Sequence, residues 1–195
     1  RIMDIRNPKS PAFVGSYSLT AALSVAVAGK YAYVGDVSTG LNVLDVSNPR
    51  NPVKVGSLAF SETNSFFPYG IAVSGKYTFM TDFTNDAMQI VDVGDPTHPK
   101  RVGTYIATGG APYSLPVVGK YAYLTEPGLS QIHILDISNP AAPALVGTYT
   151  LASSNPFGVY PSGKYLYVAD AVKGFYILDI SNVAAPTVVG QYKPD

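Results

Sequence analysis

The chain has 195 residues, 13 Lys+Arg against 13 Asp+Glu, no Cys, no Trp, 15 Tyr and 47% hydrophobic residues. Balanced charge supplies neither a basic patch for nucleic acid nor a field toward an anionic membrane, and no apolar run reaches the ~18 residues of a membrane span. The hydrophobic content excludes a disordered chain, and the lack of cysteine excludes a disulfide framework.

Residues 1–17 carry Ile2-Met3-Asp4-Ile5, an Asn7-Pro8 turn and Ala12-Phe13-Val14, and predict two strands joined by that turn. The next stretch predicts four strands at residues 23–28, 31–35, 41–46 and 53–58. Each is short, rich in Val, Tyr and Leu, and bounded by Gly, Pro, Asn or Asp. The same order then returns. Gly-Lys-Tyr begins at Gly29, Gly75, Gly119 and Gly163, in steps of 46, 44 and 44 residues. An Asp between apolar residues falls at Asp4, Asp45, Asp92, Asp136 and Asp179. A turn follows each, with Pro8, Pro49, Pro96 and Pro140 replaced by Val183 in the last, and Val-Gly closes each copy at Gly15, Gly56, Gly103, Gly147 and Gly190. The chain is therefore expected to be one domain of repeats, at about 1–19 (a half copy), 20–60, 61–106, 107–149 and 150–195.

Tyr31-Ala32-Tyr33-Val34 and Val43-Leu44 put bulk on both faces of their strands, so the sheet should be covered on both sides. Blades of a β-propeller, each sandwiched between two neighbours, meet that need in an antiparallel sheet, and a repeat of roughly 40–45 residues fits four strands and their turns. Nothing in the chain has helical periodicity. The fold expected is all-β, a propeller segment of four-stranded antiparallel blades.

The run Tyr31-Ala32-Tyr33-Val34-Gly35-Asp36, then Gly40-Leu41-Asn42-Val43-Leu44-Asp45-Val46-Ser47-Asn48-Pro49, then Pro52 and Val55-Gly56, resembles the LVIVD repeat family over essentially the whole chain. That resemblance implies a β-propeller at a microbial cell surface and says little about activity. Residues 156–163 (PFGVYPSG) are more weakly similar to YVTN-type propeller repeats.

The recurring Asp45 and its equivalents lie in apolar strands, where a carboxylate needs donors, and the turn amide two residues on can supply one. A second acidic position ends each second strand, at Asp36, Asp82, Glu126 and Asp170. Turn capping is the plain reading. The alternative is a ring of carboxylates holding Ca²⁺, although no dense ligand loop supports it and no other cofactor is expected. His98 lies in a turn, and His133 in a third strand, where the other copies have Asn42, Gln89 and Tyr176.

The links at residues 59–68, 105–112 and 149–156 vary in content, and each ends in Pro, an aromatic and a small residue: Pro68-Tyr69-Gly70, Pro112-Tyr113-Ser114, Pro156-Phe157-Gly158. Packing and ligand contact both fit these aromatics. In the second case Phe66, Phe67, Tyr69, Tyr113, Phe157 and His133 are the candidate ligand residues, on the face that carries the links.

No nucleophile elbow, phosphate loop or paired-His spacing occurs. The expectation is a non-catalytic binding or scaffold module, extracellular or at the cell surface, taking a protein or glycan ligand. A structural subunit of an extracellular assembly, or a propeller enzyme of lyase, lactonase or quinoprotein type, are the alternatives. Starting in a third strand, at a residue that is not an initiator Met, the chain is also expected not to close a ring alone. Upstream residues or a neighbouring protomer would then pair the open blade edge.

Overall fold

The computed structural model describes residues 1–60 and 66–194; the middle of the first predicted link and the last residue lie outside the described residues. Gly29, Gly75, Gly119 and Gly163 have φ of 57–59°, which glycine adopts without steric cost, and each opens the two-residue turn between a first and a second strand. Such turns build antiparallel meanders. Among the described residues, strands β1 (Ile2–Asp4) and β2 (Ala12–Gly15) form a two-stranded sheet. The first four-stranded blade is β3 (Ala22–Ala28), β4 (Tyr31–Asp36), β5 (Gly40–Asp45) and β6 (Val53–Leu58). The second is β7 (Ile71–Ser74), β8 (Tyr77–Asp82), β9 (Ala87–Asp92) and β10 (Lys100–Ile106). The third is β11 (Val117–Val118), β12 (Tyr121–Glu126), β13 (Gln131–Asp136) and β14 (Ala144–Thr150). The fourth is β15 (Pro156–Ser162), β16 (Tyr165–Asp170), β17 (Gly174–Asp179) and β18 (Thr187–Tyr192).

The all-β propeller-blade architecture expected from the repeat is the one observed. Helical structure among the described residues is confined to a 3-10 turn at Pro127–Leu129, and none of their helices is long and apolar enough to cross a membrane. The predicted third strand, 41–46, begins at Gly40 and ends at Asp45. Val46 has left it because its amide donates across to the Lys30 carbonyl at 2.8 Å.

The core lies between blades. Tyr33, Leu41 and Val43 of the first blade pack on Met80, Val91 and Val93 of the second. Phe79, Met88 and Ile90 of the second meet Ala122, Leu124 and Leu135 of the third, and Tyr123, Ile132 and Ile134 of the third meet Leu166, Val168 and Leu178 of the fourth. Ala32, Val34 and Leu44 form the opposite face of the first blade, against Leu19 and Val46. Alternating residues of one strand thus serve two different interfaces, which is why these strands carry bulk on both faces.

The Val-Gly that ends each copy has a steric reason. A Cβ at Gly15, Gly56 or Gly103 would overlap the carbonyl oxygen of Pro49, Pro96 or Pro140 in the next blade's turn, and at Gly147 it would overlap that of Val183. Gly190, by contrast, meets only the Ile177 side chain, at 3.5 Å.

Candidate functional site

Antiparallel order brings the inter-blade links to the same end as the turns between second and third strands. Asp36 joins the two in the first blade: Oδ2 accepts the Ala21 amide at 2.7 Å, and Oδ1 accepts the Ser38 and Thr39 amides at 2.9 Å. Asp170 does the same in the fourth, accepting Asn155 N at 2.7 Å, Val172 N at 2.9 Å and the Ser154 hydroxyl. These donors hold both carboxyls below the usual range against the opposing effect of burial. Asp82 accepts the side-chain amides of Asn85 at 2.9 Å and Gln89 at 3.3 Å and the Asn85 backbone amide, but there burial dominates and raises its pKa.

Glu126 stands apart. Its carboxyl is fully buried, and neither oxygen has a hydrogen-bond partner among the described residues. Burial first, and the Asp86 carboxylate second, push its pKa up to about 8. His133 Nδ1 lies 3.7 Å from Glu126 Oε1 and 3.1 Å from the Tyr105 hydroxyl, while Nε2 lies 2.9 Å from Gln131 Oε1. Burial lowers the His133 pKa, so the ring is neutral near pH 7; Nε2–H donates to Gln131, and Nδ1 accepts the tyrosine proton. The four acidic positions stay in their own blades, and among the described residues no three His, Cys, Asp or Glu side chains group as a metal site would need.

The link aromatics do come together. Tyr69 and Tyr113 stack with centroids 4.5 Å apart and planes at 17°, and Phe157 meets Tyr113 edge-on at 5.0 Å. Phe67 stacks on Tyr69 at 6.2 Å, and Phe83, which sequence reading passed over because it lies in a turn, closes on Tyr69 edge-on at 5.3 Å. Two candidate ligand residues are not in this row. Phe66, 2% exposed, stacks on Phe60 in the core between the first two blades, and His133 is buried between the second and third. Phe66 turns inward beside Phe67, which joins the row, while His133 lies in a strand stretch buried on both faces, between Ile132 and Ile134.

Beside the row opens a cavity of about 430 Å³ lined by Ser24, Gly70 and Ser114 as well as Tyr69, Tyr113 and Phe157, with Val25, Ile71, Leu115 and Val159 behind them. Ser24 Oγ is buried and has no hydrogen-bond partner among the described residues. A larger cavity of about 660 Å³ on the far face of the first blade is mainly apolar, walled by Leu19, Leu23, Val25, Val27, Val34 and Leu44. Ser24 lines both cavities, and the clustered rings of Tyr69, Tyr113 and Phe157 line the smaller one.

The chain is similar in fold to several solved structures. It matches a protein from Lactobacillus plantarum with a TM-score of 0.74 at 16% identity, over 87% of this chain and 56% of that one. It matches the periplasmic gluconolactonase of Pseudomonas aeruginosa with a TM-score of 0.68 at 17% identity, over 85% and 54%. A candidate 6-phosphogluconolactonase of Bacteroides uniformis gives a TM-score of 0.67 at 19% identity, over 87% and 56%. The chain thus spans a little over half the length of these structures, and at such identities the likeness shows the fold. No curated protein matches it.

These relatives correct the expectation of a non-catalytic binding or scaffold module. Two of the three are named for lactone hydrolysis, so the lack of a linear catalytic motif is no argument against an enzyme on this fold. A site assembled from residues 44 positions apart, as Tyr69 and Tyr113 are, leaves no motif to find. The family model for the LVIVD repeat matches residues 1–19, 21–59, 69–107, 109–151 and 158–193, and the chain belongs to the LVIVD repeat family.

Proposed function

We propose that this chain is part of a lactone-hydrolysing propeller enzyme whose cavity beside Tyr69, Tyr113 and Phe157 receives an uncharged sugar lactone. The observation that carries the reading is the pairing, in one cavity, of aromatic ring faces with the unpartnered Ser24 hydroxyl. Ring faces suit the C–H faces of a sugar, and a desolvated hydroxyl is a donor whose own hydrogen bonding a ligand would complete. The likeness to a gluconolactonase and a candidate 6-phosphogluconolactonase supports the reaction class. Among the described residues the cavity wall holds no Lys or Arg, which favours an unphosphorylated lactone over a phosphorylated one.

In such a reaction water adds to the ring carbonyl, the ring C–O bond breaks, and the open hydroxy acid leaves. The roles open to these residues are positioning, by the stacked rings, and donation to the carbonyl oxygen as it gains charge, by Ser24 or Ser114. An extracellular or cell-surface setting is part of the proposal, supported by the low charge content of 13%. The test is acid release from glucono-1,5-lactone, followed by pH-stat against the spontaneous rate. A rate equal to the spontaneous one, for this lactone and its 6-phosphate alike, sinks the reading; preference for the phosphate sinks only the substrate choice.

A further inference from the structure

We propose that Glu126 is a proton-operated latch on the link between the second and third blades: protonated, it keeps residues 107–112 seated, and ionised, it releases them together with the Tyr113 that follows.

The geometry of the third blade departs from that of the first and fourth. In the first and fourth blades the acid at the end of the second strand ties down the preceding link, through Ala21 N on Asp36 and Asn155 N on Asp170. In the third blade that task has passed to Asp86 from the preceding blade's turn, which accepts Gly109 N at 2.8 Å and Ala111 N at 3.0 Å. Glu126 is left without a structural hydrogen bond, yet it is enclosed. The link lies directly against its carboxyl: a Cβ at Gly110 would overlap Oε2, and Gly110 O accepts the Gly128 amide at 3.0 Å from the turn just beyond Glu126. Tyr113 is tied to the same strand end, its amide donating to Thr125 O at 3.1 Å.

A neutral carboxyl tolerates this enclosure, whereas a carboxylate does not. The titratable groups facing it are Asp86 from the turn after β8, Tyr105 from β10 and His133 from β13. Asp86 repels the ionised form. His133 is neutral, with Nδ1 occupied by the Tyr105 hydroxyl and Nε2–H by Gln131, so it has no proton to offer Oε1 without breaking both contacts. Water is the remaining partner, and it reaches Glu126 only if Gly110 moves. The pKa, raised to about 8, places this release on the alkaline side of neutrality. Because Tyr113 lines the proposed lactone cavity, the latch would also gate that cavity; this consequence rests on the lactonase reading, while the latch itself does not.

Amide hydrogen exchange of the peptide covering 107–113 tests the latch without any ligand. After correction for intrinsic base catalysis, exchange in the wild type should quicken roughly tenfold or more between pH 6.5 and 9.5, while a peptide from β16 stays flat. In Glu126→Gln, or Glu126→Leu should the amide variant fail to fold, the 107–113 profile should also stay flat. A flat wild-type profile overturns the latch. The same acceleration in a variant that cannot ionise overturns it too, as does equal acceleration in every blade.

Discussion

Lys120 Nζ stands 2.9 Å from Asp136 Oδ2 and 5.1 Å over the ring centroid of Tyr121. The same three-residue contact recurs as Lys30, Tyr31 and Asp45, as Lys76, Tyr77 and Asp92, and as Lys164, Tyr165 and Asp179. The two sequence anchors of the repeat, Gly-Lys-Tyr and the strand Asp, are therefore halves of one contact.

Acid should weaken the fold through these aspartates. Asp45 is held to about 2 by the Ser47 hydroxyl and amide and then by Lys30, and Asp92, Asp136 and Asp179 are lowered too. A carboxyl lowered on folding contributes its stability above the unfolded value, near 3.9, and loses it as pH falls through the folded one. Thermal unfolding should show Tm falling steadily from pH 5 to pH 2. A combined Asn variant at the four positions should give a shallower slope, and equal slopes would contradict the account.

Gly103→Ala and Gly190→Ala should behave differently despite equal places in the repeat. A methyl at Gly103 meets the Pro140 carbonyl, and backbone cannot step aside, so a loss of about 1–3 kcal/mol is expected in urea unfolding. At Gly190 the nearest neighbour is a flexible side chain 3.5 Å away, and the change should be close to neutral. Equal losses at both sites would show that the turn carbonyl is not the cause.

Glu126→Gln should stabilise the protein more at pH 7 than at pH 4. The native carboxyl titrates at about 8 against 4.5 unfolded, so the native state is penalised progressively as pH rises from 4.5 to 8. By pH 7 the difference between wild type and variant should have grown by about 3 kcal/mol relative to pH 4, an upper figure for a relaxed interior. Denaturant midpoints at the two pH values check it, and a difference that does not change with pH counts against the buried acid.

Tyr113→Ala and Phe157→Ala should keep the fold and lose lactone turnover. Phe157 is 38% exposed and Tyr113 half-buried, so each truncation should cost no more than about 2 kcal/mol of stability. Loss of the far-UV strand signal in either variant would mean the row is a core element.

The repeat made the blades legible from residues alone, because Gly29, Pro49 and Gly56 each mark a backbone constraint that local chemistry imposes. The donor to Asp45 two residues on was equally local, and Ser47 N supplies it at 2.9 Å. The Lys30–Asp45 contact was not read, although antiparallel pairing of the second and third strands sets Tyr31 opposite Asp45, because the reach of the Lys30 side chain over the Tyr31 ring is not a matter of spacing. Tyr105, Glu126 and His133 were harder still. Their meeting depends on how two blades pack, and the only trace in the sequence is that the third copy has Glu where the others have Asp, and His where they have Asn, Gln or Tyr. Phe66 and Phe67 show the limit at single-residue scale: adjacent rings, one in the core and one in the row.

In the first three blades the notch, at Gly56, Gly103 and Gly147, and the turn carbonyl that fills the preceding copy's notch lie on opposite flanks. Any duplicated unit of about 44 residues therefore brings both halves of the joint with it. An array of this kind can gain or lose whole blades by recombination without inventing a new surface. An insertion inside a blade that shifts the strand by one residue would instead put a side chain where the glycine must be, and would jam the joint to its neighbour.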